Sequence, residues 1–231
     1  ENVYWLQVGA AGPTMETLEA TPDAGAATNS WFWHTEAYRS SFVSLIAGRD
    51  KRSGISSLTN VPNFGLWVPG VATESSRTKT KTVRLADFCD GAPTGVWARV
   101  SLASYGAVSP SDTAHTGEIQ LNGVSCGSAS WIGEQSLLVD GFAARGVVTN
   151  GTVQFTVKND LIGTGPNDFM LTDAWLTYPR SYRAVDDLLV CAGGDAGTAC
   201  VAGLTTNAVA VWDVTDPASP CVLDAPVWQA L

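Results

Sequence analysis

Apolar and polar residues alternate with a period of two through much of this chain, and helical periodicity is nearly absent. Val96, Ala98, Val100 and Leu102 fall on one side of a strand and Arg99 and Ser101 on the other, with Trp97 and Ala103 as apolar exceptions. Ile119 and Leu121 alternate with Glu118, Gln120 and Asn122. Val153, Phe155 and Val157 alternate with Thr152, Gln154, Thr156 and Lys158. These segments predict half-buried antiparallel strands. Val3–Val8, Val83–Phe88, Leu137–Val139 and Phe169–Tyr178 are apolar on both sides, which suits strands covered on both faces. Asn122-Gly123, Asp90-Gly91, Asp140-Gly141 and Asn150-Gly151 read as tight turns, because glycine accepts positive φ. About eight or nine strands fit before residue 180, and that number with loops of mixed length predicts an all-β chain built on a jelly-roll-like antiparallel β-sandwich.

Residues 1–180 are accordingly assigned to the sandwich, of jelly-roll or galactose-binding-like form. Within it, 22–30 and 49–63 read as loops, and Trp31, Trp33 and Phe42 leave 31–48 open between a strand and a short helix. After Pro179-Arg180 the composition changes. An acidic pair, Asp186-Asp187, precedes a short apolar run, a Gly193-Gly194 turn and the segment Asn207–Val214. Residues 181–231 are predicted to be a small β appendage. It falls below the roughly 70 residues at which a core alone suffices, so packing or a disulfide is expected to support it.

Composition narrows the function classes. Lys plus Arg is 13 against 22 Asp plus Glu, a formal net charge of −9. That disfavours nucleic acid and anionic membrane as partners, since both need a cationic footprint. No run of roughly 18 apolar residues exists, so no membrane span is expected. The first residues carry no basic stretch of the kind that opens a signal peptide. Arg77, Lys79 and Lys81 recur at period two, which puts them on one face of a strand. They read either as an edge strand guarded by charge or as a docking face for an acidic partner.

The 5 cysteines include no C-x-x-C pair, and both histidines lie far from them in sequence, which argues against a zinc or thioredoxin-type site. Low lysine, abundant Thr, Ser and Gly, and several cysteines fit an oxidising, extracytoplasmic setting. Cys191 and Cys200 flank two apolar runs that a hairpin would bring together, so a disulfide is expected there, and Cys89 with Cys126 is a second expected pair. Cys221 is left over, which suggests a segment of a longer protein.

Candidate chemistry is sparse. Gly123-Val124-Ser125-Cys126-Gly127 matches G-x-S-x-G, but a nucleophile elbow needs a strand, a sharp turn and a helix, with a histidine later in the chain. No histidine follows His115. His115 reads as a side chain at a sheet margin, and His34, among Trp31, Phe32 and Trp33, as core packing. The polar loop holding Asp160, Asn167 and Asp168 reads as a turn or as a structural Ca2+ site, because calcium takes carboxylate and amide oxygens in irregular geometry. No other cofactor is expected. Of the 9 tryptophans, Trp5, Trp97 and Trp175 lie inside predicted strands and are expected to fill the core. Trp131 and Trp67 are the candidates for exposed stacking platforms that could bind a ligand.

Four stretches carry a resemblance. Asn2-Val3-Tyr4-Trp5-Leu6 with Gly12-Pro13 and Met15 resembles the opening of the β region found upstream of gingipain-like (family C25) cysteine peptidase domains. His115 to Leu121-Asn122-Gly123, with Trp131, resembles its middle. Asp173 to Tyr178-Pro179-Arg180, then Tyr182-Arg183-Ala184, resembles its end. Val211-Trp212-Asp213-Val214-Thr215-Asp216-Pro217 and Ser219-Pro220 resemble the motif that precedes the peptidase domain. The resemblance implies a secreted bacterial peptidase or a secretion-linked, sortase-like relative, of which this chain is the non-catalytic part. Its partner is then a neighbouring peptidase domain in the same parent chain. Catalysis in that family uses a His followed by Gly, together with a Cys. Here His34 and His115 are each followed by Thr, so no catalytic residue carries over. Two readings follow: an accessory or pro-region module in support, docking or latency of a catalytic domain, or a carbohydrate- or surface-binding β-sandwich that meets a glycan or cell surface.

Overall fold

The computed structural model describes residues 15–19, 28–38, 66–68, 78–104, 114–133, 135–160, 169–192, 198–206, 208–216 and 218–224. Among the described residues are fourteen strands and no helix: β1 (Glu16–Glu19), β2 (Thr28–Asn29), β3 (Trp31–Tyr38), β4 (Leu66–Val68), β5 (Thr78–Arg84), β6 (Val96–Ser104), β7 (Ala114–Leu121), β8 (Val124–Ile132), β9 (Ser136–Ala143), β10 (Thr152–Asn159), β11 (Phe169–Ser181), β12 (Thr198–Ala199), β13 (Val211–Asp213) and β14 (Cys221–Asp224). The chain divides into two compact units. One holds Ser30–Tyr182 and Val190–Gly193; the other holds Glu1–Asn29, Arg183–Leu189 and Gly194–Leu231.

The first unit is a two-sheet antiparallel sandwich. One sheet has the order β5-β10-β7-β8 and the other β3-β11-β6-β9, with β4 also paired to β11. From β4 to β11 the strands are shared as β4-β11-β6-β9 against β5-β10-β7-β8, the double Greek key of a jelly roll. β3 is an addition along the second half of β11. The alternation of β6 holds: Val96, Ala98, Val100 and Leu102 are buried against Ile119, Leu121, Val153 and Val157 of the facing sheet. In β11 a register shift between Leu171 and Asp173 lets both Phe169-Leu171 and Ala174-Leu176-Tyr178 face the core, a β-bulge resetting the phase of one long strand. Residues 31–38, open in the sequence, form strand β3.

Two of the expected turns stand out. Asn122 and Gly123 have φ of 50° and 78°, both positive, as a two-residue hairpin of the twist-matching kind requires, and they join β7 to β8. The Asn122 side chain adds bonds to the neighbouring loop, its Nδ2 donating to Val147 O at 2.8 Å while its Oδ1 accepts from Gln154 N at 2.7 Å. Asp140-Gly141, by contrast, is no turn. It lies within β9, where Asp140 pairs with Arg99 and Gly141 packs against Cys126.

Among the described residues β5 ends its sheet. Thr78, Thr80 and Thr82 face outward. Lys79 and Lys81 pair in register with the core-facing Val157 and Phe155. Lys79 is half-buried and Lys81 exposed, and charge at an edge discourages a further strand from docking, because pairing would bury it. Replacing both Lys79 and Lys81 with valine is expected to leave the melting temperature nearly unchanged and to produce concentration-dependent association in sedimentation velocity. A double variant that stays monomeric would show that these lysines do not guard the edge. Arg77 lies outside the described residues.

The second unit contains β1 parallel to β14, β13 antiparallel to β14, and β2 parallel to β12. β1 therefore pairs with the end of the chain, although the sequence suggested that residues 1–180 belong to the sandwich. Val185 and Leu188 exchange two backbone hydrogen bonds of 3.0 Å around Asp186-Asp187, both at positive φ.

All five cysteines are free thiols. Cys191 and Cys200 are not joined in this structure, and Thr198–Ala199, just before Cys200, pairs with Thr28–Asn29. Cys89 and Cys126 are not joined either. Cys89 sits in the β5–β6 connection, its N–H donating to Pro179 O at 2.9 Å. Cys126 lies on β8 with its thiol directed at Ile119 O, 3.4 Å away. Burial first, then the nearby Glu118 charge, pushes the Cys126 thiol up to about 11, so it is unreactive at neutral pH.

Candidate functional site

The two outer faces of the sandwich differ in chemistry. The face of β5-β10-β7-β8 is hydroxyl-rich: Thr80 meets Thr156 at 2.8 Å, and Thr116 meets Ser130 at 2.9 Å. Beside them Lys158 donates to Glu118 at 3.3 Å and also pairs with Asp160. Burial opposes ionisation of Glu118. Hydrogen bonds with Ser125, Asp160, Gln120 and Lys158 outweigh it and hold the carboxyl at about 2. The folded chain therefore takes up this proton less readily than the unfolded chain. The stabilisation is present above the unfolded value near 4.5 and is lost as pH falls towards about 2. Glu118→Gln is expected to flatten the loss of stability over that window, read as melting temperature against pH. An unchanged slope would mean that other carboxylates carry it.

The face of β3-β11-β6-β9 is aromatic. Cross-strand register aligns Thr35, Thr177, Trp97 and Phe142 in one row and Ala37, Trp175, Arg99 and Asp140 in the next. Strands lie about 4.8 Å apart and successive outward residues about 6.6 Å, so the rows form a shallow plane roughly four strands wide. The Trp97 and Phe142 rings lie 4.7 Å apart with a 47° tilt, and are 49% and 40% exposed. Next to them Arg99 grips Asp140 through two bonds, Nε to Oδ1 at 2.6 Å and Nη2 to Oδ2 at 3.0 Å. That grip holds the Asp140 carboxyl below its ordinary range. Thr35 and Thr177 share a hydroxyl bond of 2.7 Å. Trp33, opposite Pro179 on β3, extends the aromatic surface and meets Trp31 edge-on at 5.2 Å.

Three tryptophan expectations are reversed here. Trp175, expected in the core, is half-buried in the outward phase between buried Ala174 and Leu176. Trp97, expected in the core, occupies the outward phase between buried Val96 and Ala98. Trp131, expected to be exposed and ligand-binding, is 7% exposed. It stacks on buried His115, with centroids 5.1 Å apart and planes at 17°, and its Nε1 donates to Ser104 Oγ at 2.9 Å. For Trp67 only the strand β4 is described. Trp212 of β13 is exposed in the second unit.

The serine motif gains no base from His115. His115 pairs in register with Trp131 and Gln120 with Ser125, so Ser125 lies six residues along β8, about 20 Å at the rise of a strand. β8 also continues as a strand through Ser125, with no helix at the motif. His34 is half-buried against Tyr178, and burial, then the Arg180 charge, lowers its pKa. Among the described residues no group of three His, Cys, Asp or Glu side chains could hold a metal ion. Of the proposed calcium ligands, Asp160 is engaged by Lys158, while Asn167 and Asp168 lie outside the described residues. A cavity of about 290 Å³ opens at the end of the sandwich, lined by Phe88, Cys89, Asp90, Arg145 and Asn150. It lies just below the roughly 300–1,000 Å³ of ligand pockets. No helix among the described residues is long and apolar enough to cross a membrane.

No protein-family profile matches the sequence, and no curated protein matches it. Among solved structures, the fold is similar to part of dimeric latent PorU from Porphyromonas gingivalis, with a TM-score of 0.52 and 10% identity. That likeness covers 94% of this chain but 20% of the PorU chain, so this chain spans about a fifth of that protein's length. A CBM36-1 domain of a multidomain xylanase from the hindgut metagenome of Trinervitermes trinervoides gives a TM-score of 0.28 at 10% identity over 43% of this chain and 68% of its own. The Tobacco streak virus coat protein gives 0.24 at 15% identity over 58% and 99%. At those TM-scores neither of the last two establishes a common fold. The first does, and at its identity it speaks to fold alone.

Proposed function

We propose that this chain is a non-catalytic accessory or pro-region module of a secreted, C25-like bacterial cysteine peptidase, serving support, docking or latency of a neighbouring catalytic domain. The observation that carries this reading is the fold correspondence running along 94% of the chain with a fifth of latent PorU. The ordered resemblance from Asn2 to Pro220 supports it independently of the fold. The test is the parent reading frame and its product. A peptidase domain with a His-Gly motif and a Cys is expected beyond Leu231, and deleting the present segment from the whole protein is expected to change its secreted peptidase activity. A parent frame without such a domain removes this reading. A second reading, a carbohydrate- or surface-binding module, is favoured by one specific observation, the exposed Trp97–Phe142 pair beside a hydrogen-bonding Arg99–Asp140 pair.

A further inference from the structure

The geometry points to the outer face of β3-β11-β6-β9 as a binding site for a neutral polysaccharide, with Trp97 and Phe142 stacking on sugar rings and Asp140, Arg99, Thr35 and Thr177 meeting hydroxyls. This rests on the carbohydrate-binding reading and gives it a location and a ligand class. An aromatic ring presents a flat apolar face of negative potential, which suits the C–H face of a pyranose, while the sugar's rim of hydroxyls needs donors and acceptors alongside. The platform offers both within two adjacent rows. Its side chains stand on paired strands, so register rather than loop conformation sets their spacing.

Charge favours a neutral occupant. Arg99 and Asp140 compensate each other at close range, so this pair has no excess charge to attract an ionic polymer. The chain's net charge of −9 repels anionic glycans. Both members of the pair are 53% exposed, and a protein partner closing over them would strip water from two charges. Sugar hydroxyls can replace that water, because the carboxylate keeps free lone pairs and the guanidinium keeps free N–H groups. The opposite face of the sandwich, rich in Thr and Ser, has no comparable exposed aromatic pair among the described residues.

The test is affinity electrophoresis of the full chain in galactomannan, β-glucan and dextran, with sedimentation velocity on the same samples. Wild type is expected to be retarded by at least one of them. Trp97→Ala and Phe142→Ala are expected to weaken that retardation by about fivefold to tenfold, the range of one aromatic contact. Asp140→Asn should weaken it by less, and Trp212→Ala, on the other unit, should leave it unchanged. Both aromatic side chains are about half exposed, so only a small fall in melting temperature and an unchanged cooperative transition are expected for these variants. No retardation of wild type overturns the site together with the carbohydrate-binding reading. Retardation that survives Trp97→Ala and Phe142→Ala overturns the site and leaves that reading standing. Self-association of wild type that Trp97→Ala abolishes, without polysaccharide binding, makes the face a contact between copies and overturns the proposal.

Discussion

Trp131→Ala is expected to destabilise the sandwich by about 3–5 kcal/mol, the range for removing a buried aromatic side chain from a packed core. The ring lies between His115 and Phe169, with centroids 5.1 and 5.3 Å away, so truncation opens a cavity rather than a surface dimple. It also strips Ser104 of one partner. The Ser104 hydroxyl accepts from Trp131 Nε1 at 2.9 Å and from Gln135 N at 3.0 Å while donating to Gly133 O at 2.8 Å, tying the end of β6 to the β8–β9 connection. Against a typical domain stability of about 5–15 kcal/mol, this single change removes roughly three fifths or more of the total at the low end. Urea melts are expected to show a lower midpoint with an unchanged slope, since the surface exposed on unfolding stays similar. Trp131→Phe keeps most of the volume and is expected to lose the smaller share, about 1 kcal/mol for the hydrogen bond plus a packing defect. If Trp131→Ala melted like wild type, the ring would not be part of the core. Loss of polysaccharide binding in that variant at unchanged stability would restore it as a surface ligand.

The sequence made the sandwich legible where the alternation was clean and silent where side chains were small. β6 and β10 carry large apolar residues at every second position, and the facing polar ones are unambiguous. β8 reads Val124-Ser125-Cys126-Gly127-Ser128-Ala129-Ser130 before Trp131, with little contrast between its two faces. The phase of Trp131 is therefore invisible, and a loop is the natural inference. Trp97 failed for the opposite reason. Its phase, between Val96 and Ala98, points outward, whereas tryptophan as a residue type is buried on average, and here register prevails. The platform was recoverable from that alternation together with Phe142 on β9. Pairing between strands far apart in sequence is not recoverable: Arg99 finds Asp140 forty-one positions away, and β1 finds β14 some two hundred positions on. Such non-local partners leave no trace in local pattern.

Gly127→Ala is expected to destabilise the protein by about 1–3 kcal/mol or more, the cost of forcing extra volume into a packed contact. A Cβ at Gly127 would stand 2.3 Å from the Asp140 carbonyl oxygen and 2.7 Å from the Gly141 Cα. These are backbone atoms of β9, so no rotamer change can make room, and the two strands must part. Gly141 faces the same contact from the other side, 3.0 Å from the Cys126 oxygen and sulfur if it carried a Cβ. Two glycines thus let β8 and β9, the last strands of their respective sheets, approach backbone to backbone and close this side of the jelly roll. Neither has a positive φ, so the requirement is space rather than conformation. The two glycines of the G-x-S-x-G match thereby acquire separate structural reasons: Gly123 completes a left-handed hairpin turn, and Gly127 admits β9. Ser125 between them is exposed but its hydroxyl bonds to the Glu118 carboxylate, so Ser125→Ala is expected to cost about 0.5–1.5 kcal/mol at neutral pH, the worth of one hydrogen bond. Melting temperature and amide exchange across β8 and β9 separate the two variants. Wild-type stability in Gly127→Ala would mean that the strands can part freely, and a loss in Ser125→Ala as large as that expected for Gly127→Ala would give the hydroxyl more than its bond to Glu118.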